Sequence, residues 1–276
     1  MKFTIITPCF QAEKYIQETA LSILRQRAVL SGEIELEYLV QDGGSSDRTI
    51  SLLEELKNPS IKIESSKDQG MYDALARGFK KASGGVIAYL NAGDLYTPFA
   101  FEVVRDIFSL KRSKQIQWLS GLQVAYNEAS QFVASQMPCR YRRDLFQKGV
   151  YDGVMHPFLQ QEVTFWKSDL LTCLDLIRLS EFKLAGDYYL WQCFAQVAEL
   201  TLCEAHLGGF KIHAGQLSGA ADKYLAELRS ISLKPSLIDM ICVSLDRSAI
   251  YLPSKLKKKL SPEHYLRYDH KLQIWQ

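Results

Sequence analysis

The first hundred residues alternate between two kinds of hydrophobic pattern. Phe3 to Thr7 is a short β-branched run closed by Pro8, which predicts a strand. Ile16, Ala20, Ile23 and Leu24 follow at helical spacing. Glu37 to Gln41 predicts a second strand, and Asp47, at the end of Asp42-Gly-Gly-Ser-Ser-Asp47, can cap a helix carrying Ile50, Leu53 and Leu56. Ile61 to Glu64 reads as a third strand, Met71 to Ala82 as a helix with Leu75 and Phe79 on one face, and Val86 to Leu90 as a fourth strand. Such an α/β alternation implies a Rossmann-like, mostly parallel sheet flanked by helices, with its ligand crevice outside the carboxyl ends of the strands. Asp42 and Asp94 fall at strand ends, and Asp68 sits in the turn Lys-Asp-Gln-Gly.

Beyond Leu110 the rhythm weakens. Gln117 to Ala125 with Gln131 to Ser135 suggests a hairpin, Glu162 to Trp166 a strand, Leu184 to Ala198 a helix, and Leu200 to His213 extended chain. No Pro/Gly/Ser-rich linker separates this half from the first. From about Ser218 the chain reads as helical, punctuated by Pro235, Pro253 and Pro262.

Composition narrows the function classes. The 276 residues are 47% hydrophobic and 23% charged, ample for a real core. A net charge of +2 gives no overall pull toward nucleic acid. Six scattered cysteines, Cys9, Cys139, Cys173, Cys193, Cys203 and Cys242, suit a reducing compartment. MKFTIITPCF has too short an apolar run for a signal peptide and no window approaches a membrane span, so a cytoplasmic protein is expected.

The chemistry starts from an omission. After the first strand comes Thr-Pro-Cys-Phe-Gln, with neither G-x-G-x-x-G nor G-x-x-x-x-G-K, so dehydrogenase and P-loop readings lose weight. A bound diphosphate then needs positive charge from elsewhere, and a divalent cation on a strand-end carboxylate such as Asp94 supplies it. Each motif also has a plainer reading: the Asp42–Asp47 stretch as a turn and helix cap, Asp94 as an Asx turn. Three carboxylates at successive turns of one sheet favour a site.

Four motifs in order, TIITPCFQ, EYLVQDGGSSDRT, KDQGMYDALARG and YLNAGDLY, resemble the inverting family 2 glycosyltransferases of GT-A fold; QQEVTFW and LAGDYYLWQ match later segments of that family. The resemblance covers roughly residues 3 to 215. It implies a GT-A domain over 1–217, with a nucleotide-sugar half about 1–110 and an acceptor half about 111–217, and a helical extension over 218–276. It further implies that Phe10 lies against the nucleotide base with Pro8 and Glu13 nearby, that Asp42 bonds base or ribose, and that Asp68 lines the same pocket. Asp94 stands at the family's metal-binding aspartate with Asn91 beside it, and Asp187 at its catalytic base. Gln11 and Ala76 replace usual asparagines, and Gly93 replaces the first acid of the usual pair, leaving a single carboxylate for the metal.

The implied reaction moves a sugar from a nucleotide-diphosphate sugar, UDP by expectation, to an acceptor hydroxyl in surface-polysaccharide assembly, with Mn²⁺ or Mg²⁺ as cofactor. Asp187 would take the acceptor proton, its basicity raised by burial among Tyr188, Tyr189 and Trp191; on residue types alone it reads as a helix cap. His213 is open between a structural role and contact with metal or phosphate. Gln161 and Glu162 are candidates to face the acceptor. Lys255, Lys257, Lys258 and Lys259 read as a solvated helix face or as a peripheral contact with anionic lipid at the inner face of the membrane. Two other readings stay open, a sugar-nucleotide-binding protein without transfer activity and a metal-dependent nucleotidyltransferase.

Overall fold

The computed structural model describes residues 1–276 apart from 112–114, 137–139, 213–220, 254, 257–258 and 260–264. The first half runs β1 (Lys2–Cys9), α1 (Ile16–Leu24), α2 (Arg27–Leu30), β2 (Glu35–Asp42), α3 (Thr49–Glu54), β3 (Ile61–Ser65), α4 (Met71–Lys81), β4 (Val86–Tyr89), β5 (Leu95–Tyr96) and α5 (Ala100–Phe108). The second half adds β6 (Trp118–Ser120), β7 (Gln123–Tyr126), β8 (Phe132–Gln136), β9 (Thr164–Lys167), α6 (Leu176–Glu181), α7 (Gly186–Val197), β10 (Leu200–Cys203) and β11 (Gly208–Lys211). Helices α8 (Ala221–Ile231) and α9 (Leu237–Ser248) follow, then the short strands β12 (Tyr265–Leu266), β13 (Tyr268–Asp269) and β14 (Ile274–Trp275).

An eight-stranded sheet in the order β12-β10-β6-β9-β4-β1-β2-β3 forms the centre. Only β9 within it runs antiparallel, against β4 and β6; the other pairings are parallel. Helices cover both faces, so the strands read as nearly continuous apolar runs. The two-residue alternation still decides where each side chain goes. Ile6, Leu39, Ile87 and Tyr89 join Leu75 and Phe79 of α4 and Trp191 and Phe194 of α7. Phe3, Ile5, Tyr38, Val40 and Ala88 join α1, α3 and α5 on the other side. A smaller sheet, β5-β11-β7-β8, lies beyond the strand ends.

The first four strands and their helices stand where the pattern predicts them, and the later part corrects it in three places. The run expected as one hairpin arm divides at Gly121, where an added Cβ would lie 2.6 Å from the Ala205 carbonyl. Its first part, β6, joins the main sheet, and its second, β7, pairs antiparallel with β8. Leu200 to His213, expected as one extended segment, supplies strands to two different sheets, with His213 outside the described residues. The helical extension is present as α8 and α9, after which β12 returns the chain to the main sheet beside β10.

Candidate active site

The carboxyl ends of β1 and β2 build one side of the crevice. Asp42, the last residue of β2, is buried, and its Oδ2 accepts hydrogen bonds from the N–H groups of Gly44 (3.0 Å) and Ser45 (2.9 Å) and from Ser65 Oγ (2.6 Å). Burial pushes its pKa up, but these bonds and one from the Ser45 hydroxyl outweigh burial and hold the carboxyl below the usual aspartate value. Asp42 is therefore an ionised organiser of the turn after β2. Asp68 lies against the next residue, Gly43: a Cβ added there would sit 2.9 Å from Asp68 Oδ2, so glycine leaves that carboxyl its place. Burial, together with the charges of Asp73 and Asp42, raises the Asp68 pKa against the Gly70 N–H bond and the charge of Arg77.

The loop after β1 is laced to the same turn. Gln11 donates through its N–H to Ser45 Oγ (2.8 Å), Glu13 through its N–H to Asp47 Oδ2 (3.0 Å), and Arg48 through its N–H to Glu13 Oε2 (3.0 Å). Glu13 thus has a structural use. Pro8 is buried within β1. Phe10, by contrast, is 63% exposed, an aromatic side chain just past the end of β1, whose last residue, Cys9, pairs in register with Asp42. Asp47, expected as the cap of α3, sits one residue earlier than the observed N-cap Arg48 and receives the Thr49 N–H (3.0 Å).

At the end of β4 the turn Asn91–Asp94 is fixed by α1. The Gly93 N–H donates to Thr19 Oγ1 (2.8 Å), which donates to the Asp94 carbonyl (3.0 Å), and Gly93 holds φ at +116°, a backbone position suited to glycine. Asp94 is buried, with Oδ1 accepting from the Lys211 N–H (2.9 Å). Its second partner is Glu162, also buried and within hydrogen-bonding reach. Burial first, and the Glu162 charge next, raise Asp94 well above the carboxylate range; burial raises Glu162 as well. Two buried carboxyls this close need a proton or a cation between them.

The donor atoms here fit a hard divalent cation. Asn91 Oδ1 is buried without a hydrogen-bond partner, and the side-chain acceptors that Asp94, Glu162 and Asn91 bring here are oxygens, the ligand type Mg²⁺ and Mn²⁺ prefer. Among the described residues no group of three or more His, Cys, Asp or Glu could hold a metal ion, so substrate oxygens and water would have to complete the shell. His213 lies outside the described residues. Gln161 is buried and donates to Glu162 Oε1 (2.7 Å), which turns the expected acceptor-facing pair toward Asp94.

Asp187 occupies the first turn of α7, whose N-cap is Ala185 with no side-chain cap bond. It is therefore not the cap; its Oδ1 accepts from the Tyr188 N–H (2.7 Å). Burial raises its pKa to about 7, with the Glu162 charge adding and the Tyr188 N–H and the hydroxyls of Tyr72 and Tyr224 opposing. Gly186 exists for the same constellation: any side chain there would strike the Tyr72 ring.

Four partners escaped the sequence reading. Tyr72 on α4 and Tyr224 on α8 bring their hydroxyls near Asp187, and Tyr72 donates to the Leu184 carbonyl (2.8 Å). Glu227 on α8 accepts the N–H groups of Lys183 (2.9 Å), Leu184 (2.7 Å) and Ala185 (2.6 Å), the loop that delivers Asp187. Lys211 is buried, pairs with Glu18, and stands next to Asp94. Only Lys211 left a signal, a single cation inside the strand-like run Gly-Gly-Phe-Lys-Ile.

Comparison with known proteins gives likenesses to glycosyltransferases. An uncharacterized glycosyltransferase of Nostoc sp. is 28% identical over 217 residues, 77% of this chain and 65% of that relative; the chain thus spans just under two thirds of that protein. TarS of S. aureus in complex with UDP-GlcNAc superposes with a TM-score of 0.61 at 14% identity, covering 95% of this chain and 76% of that one. The mannosyltransferase PcManGT of Pyrobaculum calidifontis in complex with GDP-Man and Mn²⁺ superposes with a TM-score of 0.59 at 14% identity, covering 91% and 70%. These likenesses give the GT-A fold. Residues 4–110 match the family model described as Glycosyl transferase family 2, so that this segment of the chain is similar to that family.

Proposed function

We propose that this protein transfers a sugar, with inversion, from a UDP-sugar to an acceptor hydroxyl. One observation carries the reading: Asp94, Glu162 and Asp187, from three separate segments, interact through Glu162, while Phe10 stands exposed just past the end of β1, whose last residue pairs in register with Asp42. Phe10 stacks on the base, while Asp42 and Asp68 offer acceptor oxygens to base or ribose. Asp94 and Asn91 would hold Mn²⁺ or Mg²⁺, which when bound neutralises charge on the departing diphosphate. Lys211, packed beside Asp94, adds fixed positive character to that end of the crevice.

Asp187 supplies the base. A carboxyl of pKa about 7 is divided between its two forms near neutrality, where a general base is most effective. The hydroxyls of Tyr72 and Tyr224 favour its ionised form, and Tyr72, donating to the Leu184 carbonyl (2.8 Å), helps to hold the loop that delivers it. The acceptor hydroxyl attacks the anomeric carbon opposite the diphosphate, so the carbon–oxygen bond to the diphosphate breaks as the new glycosidic bond forms, and Asp187 takes the hydroxyl proton. We assign the acceptor to a saccharide hydroxyl, free or lipid-carried, in surface-polysaccharide assembly.

Thermal stabilisation by a panel of nucleotide sugars, with and without Mn²⁺, tests the donor. Ligand bound to the native state raises the melting temperature by mass action. UDP-linked donors with Mn²⁺ are expected to give the largest rise. Equal stabilisation by GDP-linked donors would overturn the base assignment, and no stabilisation by any would overturn the reading.

A further inference from the structure

Helix α9 presents an apolar stripe that the described residues leave uncovered. Leu237, Ile238, Ile241 and Leu245 are 85%, 72%, 60% and 63% exposed, and their spacing places them on one helix face. Leu233 before the helix and Tyr251 after it are exposed as well. The opposite face holds α9 to the protein: Val243 is buried, and Asp246 is gripped by Arg142, with Nη2–Oδ1 at 2.9 Å. Asp239 is held in a reciprocal cap with Ser236 and faces Lys148 at 4.0 Å.

Those two aspartates are the only acids between residues 232 and 260, against six lysines and arginines in the same stretch. Both carboxylates are thus tied back to the protein body. Lys234, Lys255 and Lys259 are exposed, while Arg247 turns back to donate to the Val154 and Met155 carbonyls (3.4 and 3.3 Å). What the segment offers outward is a stripe of aliphatic side chains bracketed along the chain by cations.

We propose that α9 docks on the surface of an anionic lipid bilayer, with the stripe at the boundary of headgroups and acyl chains and the cations on the headgroups. Charge selects a bilayer over a second copy of the chain, because symmetric pairing of α9 would bring two like-charged segments together. Docking is interfacial: among the described residues no helix is long and apolar enough to cross a membrane. The preceding helix, α8, carries Tyr224 and Glu227 to the Asp187 loop, so a docked α9 sets the acceptor end of the crevice near the lipid surface. The docking itself is independent of the transfer chemistry.

Sedimentation with vesicles tests it without substrate. The protein is expected to sediment with vesicles of phosphatidylcholine and phosphatidylglycerol. Partition should fall at least about tenfold on vesicles of phosphatidylcholine alone, in high salt, or in the double variant Ile238→Glu, Ile241→Glu. Nucleotide-dependent stabilisation of that variant should match the parent, since both positions are exposed and remote from the crevice. Absence of binding to anionic vesicles, or equal binding by the variant, overturns the proposal. So does a lipid-free dimer of the parent that the double variant dissolves, which would assign the stripe to a second copy.

Discussion

Replacing Asp187 by Asn should make the protein more stable and far less active at the same time. The carboxyl has a pKa of about 7 in the fold against 3.8 for an ordinary aspartate. Below both values it is neutral in the folded and unfolded states and costs nothing. As pH rises from about 4 the unfolded chain ionises while the folded protein holds the proton, so stability falls, and the loss is complete once pH passes the folded value of about 7. At roughly 1.4 kcal/mol per pH unit, the accumulated penalty is about 4 kcal/mol. Asn carries no charge and escapes it, keeping an oxygen for the Tyr188 N–H. Denaturant unfolding of both proteins should therefore give similar stabilities at about pH 4 and a gap in favour of the variant that widens to about pH 8. Transfer at neutral pH should drop by about 10²–10⁴-fold with donor affinity nearly unchanged, and the parent's kcat/KM should rise with pH through about 7. A variant that is less stable at high pH, or that turns over normally, would refute the reasoning and leave Asp187 as a structural carboxylate.

Other consequences follow from single contacts. Asp94→Ala should abolish the part of UDP stabilisation that depends on Mn²⁺, read by thermal shift with and without chelator; metal-dependent stabilisation equal to the parent's would remove Asp94 from the metal site. Phe10→Ala should weaken UDP binding by about 1–3 kcal/mol, the worth of a base on an aromatic ring, with an unchanged melting temperature because the ring is exposed; calorimetric titration measures this. Glu227→Ala removes the acceptor of three backbone N–H groups and should cost about 1–3 kcal/mol of stability. Its kcat should fall while the donor KM holds, and a loss confined to KM would argue that Glu227 does not position the Asp187 loop.

The sheet was legible because its first half is built from local rules. Apolar runs at strands, helical spacing at Ile16–Leu24 and Met71–Lys81, and turns at each strand end specify β1 to β4 with little help from distant residues. The second half depends on contacts the chain does not announce. Gly121 breaks one run because the Ala205 carbonyl passes close to it, and β10 and β11 part into two sheets because their partners lie elsewhere. The site shows the same divide. Asp42, Asp68 and Asp94 end strands or turns and could be seen as a set. Glu162 against Asp94, Tyr224 against Asp187 and Glu227 beneath residues 183–185 are pairings across long stretches of chain, and no periodicity encodes them. The α9 stripe was hidden for another reason: apolar positions at helical spacing look alike whether they face a core or solvent.

Inverting transfer is tested most directly by proton NMR of the sugar that the protein releases to water from the UDP-α-sugar that stabilises it best. Water takes the acceptor's place, so no acceptor need be known, and the two anomers give distinct signals before mutarotation mixes them. The account predicts that the β-anomer appears first and that the Asp187→Asn variant releases it far more slowly. First appearance of the α-anomer, or equal rates in parent and variant, would contradict it.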